Sequence, residues 1–275
     1  MTHFYDDLNN PEVVSVIDEL SVWSAPFGLK LLDVVHYKTN ITALDIGCGL
    51  GFPLLELSMR LGSTSRIYGL DPWKAAIDRV RKKIRIYELS NVDVIEGHAE
   101  EMPFEDGYFD LIVSNNGINN VKDLERTLEQ CSRVSKRGAQ FVFTFNTDQT
   151  FTEFYDVFRQ VLGDCGLQDH EAKLSEHIYS KRRPVAEFKD KLENLGFKVT
   201  SIYHDIFHYH FSDATAMLNH FFFKLAFMPS WKEIISTDRQ EEIFRKIESI
   251  LNSKSEESGS FSMQVPFVTM DCEKV

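Results

Sequence analysis

Three glycines at alternate positions, Gly47, Gly49 and Gly51, lie in ALDIGCGLGFPLLEL (43–57) between an apolar run and an amphipathic one. The pattern predicts a strand, a tight turn and a helix, with backbone in the turn free to approach a ligand. Neighbouring acids limit what that ligand is. Asp45 stands two residues before the first glycine, and Asp71 ends the next apolar run, SRIYGLD. A carboxylate beside the turn repels a pyrophosphate and attracts a cation. The dinucleotide pattern G-x-G-x-x-G fails at Phe52, and the Gly-Lys-Ser/Thr ending of a phosphate loop is absent. A second set of reactive side chains occurs in YHDIFHYHF (203–211). On a strand, His204, His208 and His210 share one face with Ile206. Such a row can be a metal site, a proton acceptor for which His208 and His210 are the catalytic candidates, or a solvated strand face.

The elements that position these residues alternate. Strands are expected over 41–47, 65–71, 92–97 and 109–115, with a fifth in AQFVFTFNT. Helices fall between them: one stopped by Gly62, one running from Trp73 to about Leu89, and VKDLERTLEQCSRVSKRG closed by Gly138. Asp71–Pro72 reads as a helix cap followed by a first helical residue. Alternating strands and helices predict right-handed crossovers and a parallel sheet. After residue 150 the rhythm changes to a helical segment (151–165), a loop, a helix from Pro184 to about Gly196, and a long strand (198–211). An aromatic helical block follows (213–252), then a polar linker SKSEESGS, taken as mobile, and a last strand from Phe261. Three parts are expected: a helical lead (1–40), a core (41–212 and 258–275), and a helical insertion (213–257) suited to a substrate lid.

S-adenosylmethionine, with an ammonium, a sulfonium and no phosphate, matches the charge at the turn. Through LDIGCGLG (44–51), GLDPW (69–73), GHAEEMPFEDGYFDLIVSNN (97–116) and SRVSKRGAQFVF (132–143) the chain resembles the class I S-adenosylmethionine-dependent methyltransferases. Within them it is most similar to the ubiquinone/menaquinone-biosynthesis and small-molecule branch. The resemblance implies a doubly wound, seven-stranded, mostly parallel α/β sheet. It implies cofactor contacts at Asp45, Gly47, Cys48, Gly49 and Gly51, at Asp71 for the ribose, and at Pro72 and Trp73 beside the adenine. His98 replaces the acid that the family places against the adenine amino group, which leaves Ala99 and Glu100 for that edge. Asn115 and Asn116 would border the sulfonium. Substrate contacts are expected from Tyr5, Trp23 and Phe27 in the lead and from Asn119 and Asn120. The expected activity is methyl transfer to a small molecule at O, N or C. The alternatives are a protein that binds the cofactor without transfer, and a protein or RNA methyltransferase.

Composition narrows the partners. The 275 residues carry a net charge of −12, which disfavours nucleic acid. The basic runs RVRKKIR (79–85) and SKRRP (180–184) read as solvated helix faces or first turns. Four scattered cysteines without a C-x-x-C pair argue for reduced thiols and against structural zinc. No apolar run is long enough to span a membrane, and the N-terminus lacks a secretory pattern. The sequence therefore predicts a cytoplasmic monomer or homodimer with no metal.

Overall fold

The computed structural model describes residues 7, 9–17 and 22–275. Tyr5 lies outside the described residues. The backbone divides into two compact units: residues 1–146, 184–205 and 267–275, and residues 147–183 and 206–266. Where the sequence sets 213–257 apart, the backbone therefore groups 147–183 with 206–266.

The first unit opens with α1 (Pro11–Ile17) and α2 (Ser24–Val34), followed by β1 (Thr42–Ile46), α3 (Leu54–Leu61), β2 (Arg66–Asp71), α4 (Lys74–Ile86), β3 (Val92–Glu96), β4 (Phe109–Asn115), α5 (Leu124–Val134) and β5 (Ser135–Asn146). The second unit contributes α6 (Thr152–Asp164) and α7 (Glu171–Lys181). The chain then returns to the first unit through α8 (Val185–Asn194) and enters β6 (Phe197–Phe211). After α9 (Ala214–Asn219), α10 (Phe221–Ala226), α11 (Met228–Lys232) and α12 (Gln240–Ser258), it ends in β7 (Phe261–Lys274).

The sheet order is β3-β2-β1-β4-β5-β7-β6. Pairings among the first five strands are parallel, and β7 joins β5 antiparallel, with Phe143 opposite Met270. This is the expected doubly wound, seven-stranded, mostly parallel sheet. The chain winds outward from β1 to β3 and then returns to lay β4 on the other side of β1. The carboxyl ends of β1 and β4 therefore flank the switch point, where open α/β sheets bind ligands. Apolar residues cover both faces. Leu44, Ile112, Phe141 and Phe143 pack with α5 and α8 on one side, and Ala43, Leu57, Ile77 and Val113 with α3 and α4 on the other.

Three boundaries differ from the sequence reading. The helix α5 stops at Val134, and Ser135 already pairs with Phe109. The Ser135 hydroxyl closes the helix on the Cys131 carbonyl at 2.7 Å, so Gly138 sits inside β5. Asp71 does not cap α4, which begins at Lys74; its Oδ1 instead accepts the Trp73 N–H at 2.8 Å in a local turn. The stretch SKSEESGS forms the end of α12 as far as Ser258, followed by Gly259 at φ 79°. Ile243, Ile247 and Leu251 anchor that helix in the second unit and carry its polar last turns.

The second unit has an aromatic core. Phe154 stacks on Trp231 at 4.1 Å, and Phe151 meets Phe223 at 5.5 Å. Asn252 on α12 accepts the N–H groups of Ala214 and Thr215, and Asp213 caps α9 through the Ala216 N–H at 2.7 Å.

Candidate functional site

The glycine turn hangs on the neighbouring strand. Gly47 N–H and Cys48 N–H both donate to the Leu70 carbonyl, at 2.8 and 3.3 Å. Gly49 N–H donates to Asp71 Oδ2 at 2.8 Å, which ties the crown of the turn to the tip of β2. Gly47 has φ 72°, and a Cβ there would meet the Gly117 Cα at 3.1 Å, so the β1 and β4 tips approach backbone to backbone. Gly49 also has positive φ, yet a Cβ there would meet nothing within 4 Å. The space over Gly49 is open, and its φ of 48° suits glycine.

Both acids expected at this turn are buried, in different ways. Asp45 is fully enclosed, and neither carboxyl oxygen has a hydrogen-bond partner. Burial, reinforced by the charge of Asp71, pushes its pKa well above the usual carboxylate range. The Leu54 amide faces it and partly counters the rise, without reaching hydrogen-bond geometry. Asp71 is 8% exposed, and burial raises it too, against the Trp73 and Gly49 N–H groups that favour its charged form. Cys48 turns its thiol inward against β2, where a Cβ on Gly69 would meet the sulfur at 2.9 Å. Burial and the two acids hold that thiol well above its ordinary value, so it is no nucleophile. Pro72 is exposed and Trp73 half-buried.

Beyond β3, Gly97 N–H donates to the Asp71 carbonyl at 3.1 Å, which brings His98–Glu100 up to the same rim. His98 is exposed, and Ala99 is buried. Glu100 turns away from an adenine role: its Oε1 accepts the Lys122 and Asp123 N–H groups at 2.8 and 3.1 Å. Burial pushes Glu100 up, but its own amide and those of Asp123 and Lys122 outweigh that and hold it below the ordinary value.

At the end of β4 the asparagines form a network. Asn116 takes a left-handed conformation (φ 54°), and its N–H is shared between the Thr144 carbonyl and hydroxyl. Asn119 Nδ2 donates to Asn116 Oδ1 and to Asn146 Oδ1, at 3.1 and 3.0 Å, and Asn120 Nδ2 donates to the Asn116 carbonyl. Asn115 Oδ1 accepts from the Thr144 hydroxyl, and its Nδ2 donates to the Ser24 carbonyl at the start of α2. The lead is thereby fastened to the β4 tip. Gly28 on α2 lies against the Phe52 ring and Asn115, so close that a Cβ would overlap the ring.

Thr144, Asn146, Gly28 and Phe52 are the members that sequence reasoning missed. Only the sheet register and the helix packing place them at this rim. Trp23 tilts against Phe27 at 5.3 Å, and Phe27 is fully buried with its ring edge-on to Phe267 at 4.7 Å. Phe27 is therefore a core residue and presents no face to a substrate. His204, His208 and His210 occupy the exposed face of β6. The His208 and His210 rings stack 5.9 Å apart, and among the described residues no group of three ligating side chains could hold a metal. That face is the solvated one, and the geometry gives neither histidine a reacting partner.

Comparison with known proteins adds the following. Residues 44–143 match a family model described as a methyltransferase domain. A demethylmenaquinone methyltransferase of Oceanobacillus iheyensis is 35% identical over 124 residues, 45% of this chain and 52% of that protein. One from Bacillus mycoides is 30% identical over 126 residues, 46% and 52% of the two chains. The chain thus spans about half the length of these curated relatives. Among solved structures, an S-adenosylmethionine-dependent methyltransferase of Aquifex aeolicus aligns with TM-score 0.52 at 21% identity, covering 70% of this chain and 91% of that one. The geranyl diphosphate C-methyltransferase of Streptomyces coelicolor aligns at 0.56 and 17%, covering 94% and 82%. At such identities these structures establish a shared fold.

Proposed function

We propose, from the premise that residues 44–143 are a methyltransferase domain, that the chain transfers a methyl group from S-adenosylmethionine to a small-molecule acceptor. The observation that carries this reading is the turn itself. It has open space over Gly49, the Asp71 carboxylate held at its crown by two amides, and no phosphate-loop lysine at its end. A nucleoside bearing a sulfonium and an ammonium suits that charge, and a pyrophosphate does not.

The residues fit the cofactor as follows. Each oxygen of Asp71 already accepts one amide, and its remaining lone pairs are free for the ribose hydroxyls. The backbone at His98–Ala99 serves the adenine edge, with Glu100 confined to bracing the loop before α5. Asn115 and Asn116 border the reacting carbon, held by Thr144 and the network through Asn119 and Asn146. Asp45 lies one layer below and favours positive charge above it once ionised. S-adenosylmethionine supplies a methyl carbon already activated by its positive sulfur. The protein's contribution is therefore alignment of the acceptor and exclusion of water, which needs no dedicated nucleophile. The fastening of α2 through Asn115 and Gly28 supports a covering role for the lead.

Among the described residues no helix is long and apolar enough to cross a membrane, and all four cysteines are free. Both facts support the proposal of a cytoplasmic enzyme. The relatives' names point to a small-molecule acceptor, in keeping with the chain's acidity. The test is incubation with methyl-labelled cofactor and a fractionated cell extract. Label should enter a small-molecule fraction. Label found only in protein or RNA, or in nothing despite tight cofactor binding, would overturn the reading.

A further inference from the structure

The basic run SKRRP (180–184) is not a solvated charge cluster. Lys181 is exposed, but Arg182, which closes α7, is only 4% exposed. Its guanidinium enters the aromatic core of the second unit. There Nη1 donates to the Tyr155 hydroxyl at 3.1 Å, and the group lies 5.3 Å from the Tyr155 ring centroid and 5.9 Å from that of Phe151. Its Nε is buried with no hydrogen-bond partner. Among the described residues no carboxylate pairs with it.

The surroundings do not supply the missing negative charge. The Tyr155 hydroxyl also accepts from Trp231 Nε1 at 2.9 Å and lies 3.4 Å from His177 Nε2. His177 is lowered to about 4 by burial and by the charges of Arg182 and Lys181, so its imidazole is neutral near pH 7. Arginine keeps its proton at any pH a protein meets. Burying that charge unpaired opposes folding. The C-terminus of α7 and the ring faces return only part of that cost. The balance is unfavourable, and an anion beside the guanidinium would redress it.

Its chemistry defines the other half. One positive charge is neutralised by one negative charge. A dry, aromatic setting favours a delocalised oxyanion on an organic body over a strongly hydrated phosphate. We propose that the unit formed by residues 147–183 and 206–266 binds a small organic monoanion, a carboxylate or phenolate on an aromatic body, with Arg182 as its counter-ion. Methyl transfer by residues 44–143 is a separate matter, and either proposal can fail alone.

The test titrates 2-naphthoate and its neutral amide, 2-naphthamide, into the full chain. The readout is the indole N–H signals of the three tryptophans in a proton–nitrogen spectrum, with Trp231 assigned through its loss in Trp231→Phe. The acid should shift the Trp231 signal and bind about tenfold or more tightly than the amide. Arg182→Met should abolish that preference, and Arg182→Lys should keep part of it. Without ligand, Arg182→Met should melt no lower than the wild type, because it removes an unpaired charge. Equal affinity for acid and amide, a response confined to Trp23 or Trp73, or a preference that survives Arg182→Met overturns the proposal. Should Arg182→Met fail to fold, the wild-type contrast read at Trp231 decides: its presence upholds the site and its absence removes it.

Discussion

Asp71→Asn is the most informative single substitution at the glycine turn. The carboxylate accepts Gly49 N–H on one oxygen and Trp73 N–H on the other, both at 2.8 Å, while 8% exposed. Asparagine has one oxygen. Whichever amide it serves, the other meets an NH2 group and is left unpaired, at a cost of about 1–3 kcal/mol. The same exchange replaces an acceptor proposed for the ribose hydroxyls with a donor. A hydrogen bond to a charged acceptor contributes about 1.5–3 kcal/mol, so the Kd for S-adenosylhomocysteine should rise about ten- to 150-fold. Isothermal titration calorimetry well below the melting temperature measures this, with circular dichroism as the check on folding. A lower melting temperature with an unchanged Kd would refute the ribose assignment and leave Asp71 as a brace for the turn.

Asp45→Asn imitates the neutral carboxyl. A raised folded-state pKa means that Asp45 favours folding at low pH and penalises it increasingly as pH rises from the ordinary carboxylate range through the folded value. The variant should match the wild type near pH 4 and melt higher near pH 8; a constant difference across that range contradicts the assigned burial. Gly28→Ala drives a methyl into the Phe52 ring and should lower stability by about 1–3 kcal/mol, with Phe52→Ala restoring part of the loss in a double mutant followed by thermal melts. His177, lowered to about 4, stabilises the fold fully above about pH 6.5 and less as pH falls toward 4. An NMR titration of its imidazole should show no protonation above about pH 5, and a midpoint near 6.5 would place it in solvent.

The sequence disclosed the switch point because glycine spacing and strand periodicity are local signals. LDIGCGLG and RIYGLD fall where β1, its turn and β2 stand. What it hid depends on partners far away in the chain. The Ser135–Arg137 segment reads as a basic helix end, but Phe109 recruits it into the sheet. SKSEESGS has linker composition, yet it continues a helix anchored by the apolar stripe before it. Glu100 reads as a ligand contact until the Lys122 and Asp123 amides are seen to hold it. Phe27 reads as a substrate contact until β7 supplies Phe267. Arg182 is the sharpest case, since nothing in SKRRP separates its second basic residue from the others until α7 turns it inward.

The central claim is that the turn at Gly47–Gly51 receives a positively charged sulfonium nucleoside. Calorimetric titration of the full chain with S-adenosylmethionine, ATP and NAD at matched ionic strength tests it directly. Saturable binding of S-adenosylmethionine alone, weakened by Asp71→Asn, is the predicted result; saturable binding of ATP or NAD, with none of S-adenosylmethionine, contradicts it.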